Sequence, residues 1–413
     1  MNGKSVCCLE MTSSGIKLVI GYLQGGTIYV IHALESTRSK LLKGSIEDPS
    51  EMTISIKELI NSASNTLKER ISEVVLGIPS IDLSIEQVNS ETNTTDPNSN
   101  VTLFDGSNCL HMIEKQKIDS EGLKTVLDVV PYEYTIDGPK SFRRFPTNQN
   151  SLTLGMKADV EILPSVVVNS FKKVVNDAGL KIKKIVNTTN AAIKYINSYQ
   201  KAPSEFLFID FGARITTIGF SYDSRLCRTN TINFGSDDIT ERIARDFNLD
   251  FQTADYYKET YGLSDDPKFS YSTKENIKLS DIKKSIISSL TPFVDGLSQL
   301  ILSIDATARN LFIISGGGSD LFGLDSYLSQ YFQNRVLRFT PNSYGARNTI
   351  FTNCLAMIMY YSTYELKSSP SRPVDLTLTR IIPNVRPNEK KDDSNSKEGK
   401  PQTSYSGLPD ERL

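Results

Sequence analysis

The segment Phe206–Phe220 constrains the fold of this chain more than any other stretch. An apolar run ends at Asp210 and Gly212, and a threonine-rich run leads away from the bend. This pattern suits a β-hairpin wrapped around a phosphate, because turn amides can bind oxygen anions and a carboxylate can hold a metal through water. Aspartate and glycine also occur in β-turns for purely conformational reasons, so one hairpin does not establish a phosphate site.

Length and charge narrow the range of functions. The 413 residues permit two or more domains, and the net charge of −2 gives no reason to expect nucleic-acid binding. Five cysteines without C-x-x-C spacing and two distant histidines predict neither a zinc site nor a disulfide framework, which favours a cytoplasmic location. The sequence has no run of about eighteen apolar residues and no signal-peptide pattern.

Two further segments are candidates for binding a phosphorylated ligand. A second hairpin near the N-terminus offers an acidic residue, three hydroxyls, a reversing glycine and a lysine, at Glu10, Thr12, Ser13, Ser14, Gly15 and Lys17. Far downstream, Gly316, Gly317 and Gly318 follow the predicted strand Asn310–Ser315 and would let a nucleoside approach the backbone. The composition of the N-terminal segment also fits a polar β-hairpin with nothing bound, and the glycine cluster also fits a flexible strand-to-helix connection. Neither a Walker loop nor a G-x-G-x-x-G fingerprint is present.

The order of predicted elements indicates two α/β halves. Strands open the chain, and helices and strands alternate again from Val166 onward, with a mostly helical block over Asp237–Leu302 and a helix over Asn348–Tyr361. Between the halves, we expect a loop at Asn89–Asn100, a short helix at Asp119–Val126, and two strands at Leu127–Ile136 and Leu152–Leu163. These make a small α+β insert, or else an irregular extension of the first half.

Three segments carry a resemblance to a known family. Val130–Gly138 matches a V-P-x-x-Y-x-[IV]-D-G strand, Ala254–Gly262 resembles A-E-x-x-K-x-x-Y-G, and Gly235–Thr240 resembles G-G-x-x-[IV]-T. In order and spacing, residues 5–362 resemble the actin and sugar-kinase superfamily and, within it, the FtsA cell-division family.

The resemblance implies an α/β, actin-like ATPase fold of two duplicated domains around a nucleotide cleft. Residues 1–80 and 163–200 would form the first domain, closed by a helix at 345–366, and 81–162 an inserted α+β subdomain of the SHS2 type. Residues 201–235 and 306–344 would form the second domain, 236–305 a helical subdomain on the nucleotide side, and 368–413 a disordered tail.

The same resemblance implies an ATP and Mg²⁺ site. Ser13 and Ser14 would contact the terminal phosphates, the glycine cluster would pack on adenosine, and Lys258 would reach the ribose or base. The implied nucleotide-binding set is Ser13, Ser14, Lys17, Asp210, Gly212, Thr216, Gly235, Asp255, Lys258, Gly316, Gly317 and Gly318. Glu10 and Asp210 would hold Mg²⁺ through water.

The chain departs from the family pattern in both hairpins. Glu10 stands for Asp, Thr12 for Gly and Gly15 for Lys in the first, while Ala213-Arg214-Ile215 replaces Gly-Gly-Thr and Thr217 replaces Asp in the second. Asn187 stands near the usual Gln of the connecting segment. We therefore expect ATP binding to be retained or weakened and hydrolysis to be slow or absent. Arg214 would neutralise phosphate charge or fill the site itself.

The functional expectation is an adaptor at the inner face of the membrane at the division site. It would self-associate into filaments, bind the C-terminal peptide of FtsZ and contact other division proteins through the insert. Its membrane contact would be weak or indirect, because the apolar face at Val374–Ile382 is bracketed by Pro373 and Pro383. The alternatives are a PilM-like scaffold of a pilus or secretion apparatus that binds a partner peptide, and a sugar kinase, for which no catalytic Asp stands out.

Overall fold

The computed structural model describes residues 5–117, 121–138, 140–147, 149–199, 202–264, 272–303, 311–333 and 335–364. The predicted tail at 368–413, with its short apolar face, lies outside the described residues. The first half contains β1 (Val6–Met11), β2 (Ile16–Gln24), β3 (Thr27–Ser36), α1 (Pro49–Leu67), β4 (Glu73–Ile78), β5 (Ser84–Asn93), α2 (Leu103–Gln116), β6 (Lys124–Ile136), β7 (Lys140–Phe142), β8 (Thr153–Pro164), α3 (Ser165–Asp177), β9 (Lys181–Asn187) and α4 (Thr188–Asn197). The second half contains β10 (Phe206–Phe211), β11 (Thr216–Tyr222), β12 (Arg225–Ile232), α5 (Ser236–Phe247), α6 (Phe251–Tyr261), α7 (Leu279–Leu302), β13 (Leu311–Ser315), α8 (Leu324–Phe332), β14 (Arg335–Arg338) and α9 (Thr352–Tyr364).

Two sheets repeat one topology. The first has the order β3-β2-β1-β4-β9 and the second the order β12-β11-β10-β13-β14. In each, three antiparallel strands continue into two strands that run parallel to the central one. Each central strand therefore ends beside the strand that follows a helical crossover, which places both predicted hairpins at equivalent positions.

Local signals explain why α1 forms where it does. The side chain of Asp48 accepts a hydrogen bond from the Glu51 amide, Pro49 opens the first turn, and Lys68 in the left-handed region closes the helix. Buried apolar residues recur at helical spacing and pack against β1 and β2, at Met52, Ile56, Leu59, Ile60 and Ala63.

The segment between β4 and α3 forms its own layer. Its four-stranded sheet has the order β5-β8-β6-β7, with α2 packed against it. Two local predictions are wrong. Residues 89–93 belong to β5 rather than a loop, because ten consecutive pairs with the buried strand β8 outweigh their polar composition. No helix forms over the described part of the predicted Asp119–Val126, because β6 already begins at Lys124, and Asp119 and Ser120 lie outside the described residues. The helix of this layer is α2, fourteen residues long and capped by Thr102 and Asp105.

Helix α7 is the longest element of the second half. Its length and composition would suffice to cross a membrane. However, one face packs on the second sheet, where Ile286, Leu290 and Phe293 are fully buried against β10 and β13. We therefore describe it as a core helix of this domain.

Helices α4 and α9 join the two sheets. One apolar cluster contains Cys8 and Val75 from the first sheet, Phe206 and Phe208 from the second, and most of the buried residues of both helices. The last described helix thus packs between the two halves and against β1. Its N-terminal turn consequently reaches both predicted hairpins.

Candidate functional site

A cavity of about 430 Å³ is lined by residues from both halves. Most of the predicted site residues lie on its walls, namely Glu10, Ser13, Ser14, Lys17, Asp210, Gly212, Asp255, Lys258, Gly316, Gly317 and Gly318. Thr216 and Gly235 do not line it. The Thr216 hydroxyl is fully buried and donates to the Phe234 carbonyl at 2.8 Å.

The first hairpin is closed by its own backbone. The Thr12 amide donates to the Gly15 carbonyl at 2.7 Å, and the Thr12 hydroxyl donates to the same oxygen at 2.9 Å. Gly15 has a φ of +145°, and a Cβ there would lie 2.1 Å from the Ser36 carbonyl oxygen. Any side chain at this position would therefore displace the backbone of β3, which accounts physically for glycine where the family pattern has lysine.

The second hairpin contacts the first directly. Its Arg214 amide donates to the Ser13 hydroxyl at 3.2 Å. The Arg214 guanidinium turns to α5, where Nε lies 3.0 Å from Oδ2 of Asp237 and Nη1 lies 2.6 Å from Oε1 of Glu241. Arg214 is not among the residues that line the cavity. The expectation that this side chain fills the site or neutralises phosphate is therefore wrong for this conformation.

Gly235 packs against the backbone of the second hairpin. It caps α5, and a Cβ on it would lie 2.4 Å from the carbonyl group of Ala213. Asn187 is likewise structural, since its side chain caps α4 and donates to the Ser80 hydroxyl at 2.8 Å. The nucleotide role predicted for Gly235 stays a prediction.

A pair of buried carboxyl groups lies between the hairpins. Glu10 and Asp210 are the next-to-last residues of β1 and β10, and the side-chain amide of Asn353 donates to both carboxyl groups, at 2.7 and 3.0 Å. Burial, and then the charge of Asp210, raises the pKa of Glu10 to about 8. Burial also raises the pKa of Asp210, and the bond from Asn353 opposes this. The pair would attract a cation, because a positive charge would stabilise both groups as anions.

The glycine cluster permits a close approach of backbone to this pair. Gly316 has a φ of +86°, and a Cβ there would lie 2.3 Å from Oδ1 of Asp210. A Cβ on Gly318 would lie 2.3 Å from the Phe211 ring. Only glycine fits at these two positions without moving the second hairpin.

The lysines predicted to face a ligand are already engaged. Lys17 donates to Oε2 of Glu35 at 2.8 Å. Lys258 donates to Oδ1 of Asp255 at 2.6 Å and to the Thr240 hydroxyl at 2.8 Å. Both side chains are mostly buried, so these ion pairs fix the walls of the cavity.

Sequence reasoning missed Asn353 as a site residue. It lies 343 positions from Glu10 in the chain, in a segment predicted only as a helix. No local pattern connects an asparagine in the first turn of a C-terminal helix with an N-terminal hairpin. Only the packing of α9 against β1 brings them together.

Comparison with known proteins identifies the relationship. A family model described as "Cell division protein FtsA" matches residues 207–356, which contain the second hairpin, the glycine cluster and Asn353. FtsA of Enterococcus hirae is 21% identical over 364 residues, covering 85% of this chain and 82% of that protein. FtsA of Bacillus subtilis is 21% identical over 375 residues, covering 87% and 84%. The chain is thus similar in sequence to FtsA over about 85% of its length.

Solved structures confirm the actin-like fold predicted for this FtsA-like chain. The PilM-PilN type IV pilus biogenesis complex aligns with a TM-score of 0.59 at 18% identity, covering 86% of this chain and 98% of that one. MreB5 of Spiroplasma citri bound to ADP aligns with a TM-score of 0.52 at 12% identity, covering 89% and 99%. At these identities the likeness concerns the fold. The FtsA relationship rests on the sequence matches.

Proposed function

We propose that this FtsA-like chain is a cell-division adaptor that binds ATP in the cleft, assembles into filaments and links the FtsZ ring to the membrane and other division proteins. The observation that carries the proposal is the meeting of Ser13, Asp210 and the glycine cluster around one cavity. MreB5, which shares the fold, has been solved with ADP. The relatives named as cell-division proteins support the cellular role.

In this proposal the phosphates lie between the hairpins. The hydroxyls of Ser13 and Ser14 and the amides of both turns would bind phosphate oxygens, and Gly316–Gly318 would face the nucleoside. The described residues contain no group of three or more side chains able to hold a metal directly. The two carboxyl groups of Glu10 and Asp210 suit a hydrated Mg²⁺, which would supply charge neutralisation for the phosphates.

Slow or absent hydrolysis is part of the proposal. Thr217 stands where the family pattern has aspartate, so the second hairpin offers one carboxylate fewer to orient an attacking water. The Arg214 amide donates its hydrogen bond to the Ser13 hydroxyl in this conformation. Both features favour binding of nucleotide as a switch for assembly over its turnover.

Nucleotide binding is tested by titrating the purified protein with a fluorescent ATP analogue and Mg²⁺. Saturable binding that weakens in Asp210→Asn supports the proposal, and no saturable signal would remove nucleotide from it. Sedimentation with and without ATP and liposomes then tests assembly and membrane contact. A pull-down with the FtsZ C-terminal peptide separates the adaptor from the PilM-like alternative, which would not retain that peptide.

A further inference from the structure

The walls of the cavity are predominantly acidic. Within the described residues, six carboxyl groups line it, on Glu10, Glu35, Asp210, Asp237, Asp255 and Glu259, against three lysines, Lys17, Lys40 and Lys258. A polyphosphate entering such a cavity needs cationic partners besides a metal, because its own negative charge adds to that of the walls.

Only one of the three lysines is available in the described part of the chain. Lys17 is held by Glu35 and Lys258 by Asp255 and Thr240. Lys40 is exposed, lines the cavity and makes no hydrogen bond or ion pair there. Its charge nevertheless acts across the cleft, since burial raises the pKa of Asp237 while Arg214 and then Lys40 lower it.

The backbone around Lys40 is fixed to the first hairpin. The Leu41 amide donates to the Thr12 carbonyl at 2.9 Å, and the Leu41 side chain is buried. On the other side, the Ser39 hydroxyl accepts a hydrogen bond from Ser55 of α1 at 3.0 Å. A free ammonium is therefore carried on an anchored backbone directly beside the turn that holds Ser13 and Ser14.

We propose that Lys40 binds the terminal phosphate of the nucleotide. It would supply the positive charge that the first hairpin lacks because Gly15 stands where the family pattern has lysine. The lysine of the family pattern cannot stand at position 15, because a Cβ there meets the Ser36 carbonyl oxygen. Lys40 reaches the same cavity from the β3–α1 connection. The inference rests on the proposed nucleotide function and names a further residue of that site.

The test compares Lys40→Met with Lys43→Met, an exposed lysine on the same connection that does not line the cavity. Affinities for fluorescent ATP and ADP analogues with Mg²⁺ are measured for each variant and for the wild type. We expect Lys40→Met to weaken ATP analogue binding about tenfold, the size of one charge-assisted contact, and ADP analogue binding less. Lys40→Arg should retain most of the affinity.

The outcomes separate the two proposals. Wild-type binding with undiminished ATP affinity in Lys40→Met overturns the role of Lys40 and leaves the nucleotide site intact. An equal loss in Lys43→Met would assign the effect to surface charge in general and also overturn it. No binding by the wild type overturns the nucleotide function and Lys40 together. Unfolding midpoints without nucleotide should be the same for all variants, since both side chains are exposed.

Discussion

The amide of Arg214 and the hydroxyl of Ser13 are 201 positions apart in the chain and hydrogen-bonded at 3.2 Å across the cleft. The two hairpins therefore contact each other directly. The Ser13 hydroxyl accepts the hydrogen bond of the Arg214 amide, which could otherwise donate to a phosphate oxygen.

Removing that hydroxyl should loosen the tip of the second hairpin. In Ser13→Ala we expect faster amide hydrogen exchange at residue 214, because its N–H loses its acceptor. Ser14→Ala is the matched control, since the Ser14 hydroxyl bonds Thr12 within its own hairpin. Unchanged exchange at residue 214 in Ser13→Ala would show that the cross-cleft bond is not maintained in solution.

Asn353 should contribute measurably to stability. Asn353→Ala leaves the Glu10 and Asp210 carboxyl groups without their shared donor, and we expect a loss of about 1–3 kcal/mol in the free energy of unfolding. Urea denaturation measures this loss. Ser362→Ala on the same helix is the control, because its hydroxyl has no hydrogen-bond partner in the described part of the chain. Equal effects of the two substitutions would argue against a role for the amide.

The inserted layer should be held to the second half by Arg225. Its guanidinium lies 2.5 Å from Oδ2 of Asp159 and 3.8 Å from the centre of the Tyr132 ring, and both charged side chains are largely buried. Arg225→Ala leaves the Asp159 carboxylate buried without its cationic partner, which costs about 3–5 kcal/mol in the free energy of unfolding. Arg143→Ala removes the more exposed pair with Asp223 at the same junction and should cost less than about 1 kcal/mol. Similar losses in urea denaturation would contradict this ranking.

Glu161 should make stability fall as pH rises. Burial, followed by the charge of Asp128, raises its pKa from the ordinary 4.5 to about 8. The folded state therefore holds a proton that the unfolded chain has lost between these values, so stability from this group is full below pH 4.5 and is lost as pH rises through 8. Glu161→Gln should be more stable than the wild type at pH 8, with the difference shrinking toward pH 5. Denaturation series at several pH values test this, with the exposed Glu91→Gln as control. A difference that does not vary with pH would refute it.

The fold was predictable where apolar periodicity and turn chemistry agree. β10 and β11 form the hairpin predicted at Phe206–Phe220, and β13 and α9 lie close to the predicted Asn310–Ser315 and Asn348–Tyr361, because each carries its own pattern and boundary signals. The insert was less predictable. β5 is polar and becomes a strand through its pairing with β8, and α2 starts at the Thr102-x-x-Asp105 capping signal, outside the predicted helix.

For the candidate site, the sequence identified most of the residues and missed the contacts between them. Glu10, Asp210 and the glycines stand at strand ends, where sheet order brings them together. That Arg214 faces α5 and that Asn353 bridges two carboxyl groups depends on tertiary packing alone. The assignments of individual residues to phosphate, metal and nucleoside stay predictions.

The placement of α9 between the sheets also affects biosynthesis. Asn353 follows Glu10 by 343 residues, so the first hairpin must wait for that length of chain to leave the ribosome before its carboxyl group gains that donor. A product that ends before α9 would expose the apolar surfaces of β1 and β2 that α9 covers. Such fragments should be substrates for chaperones or proteases, which would keep incomplete copies away from assembly with intact ones.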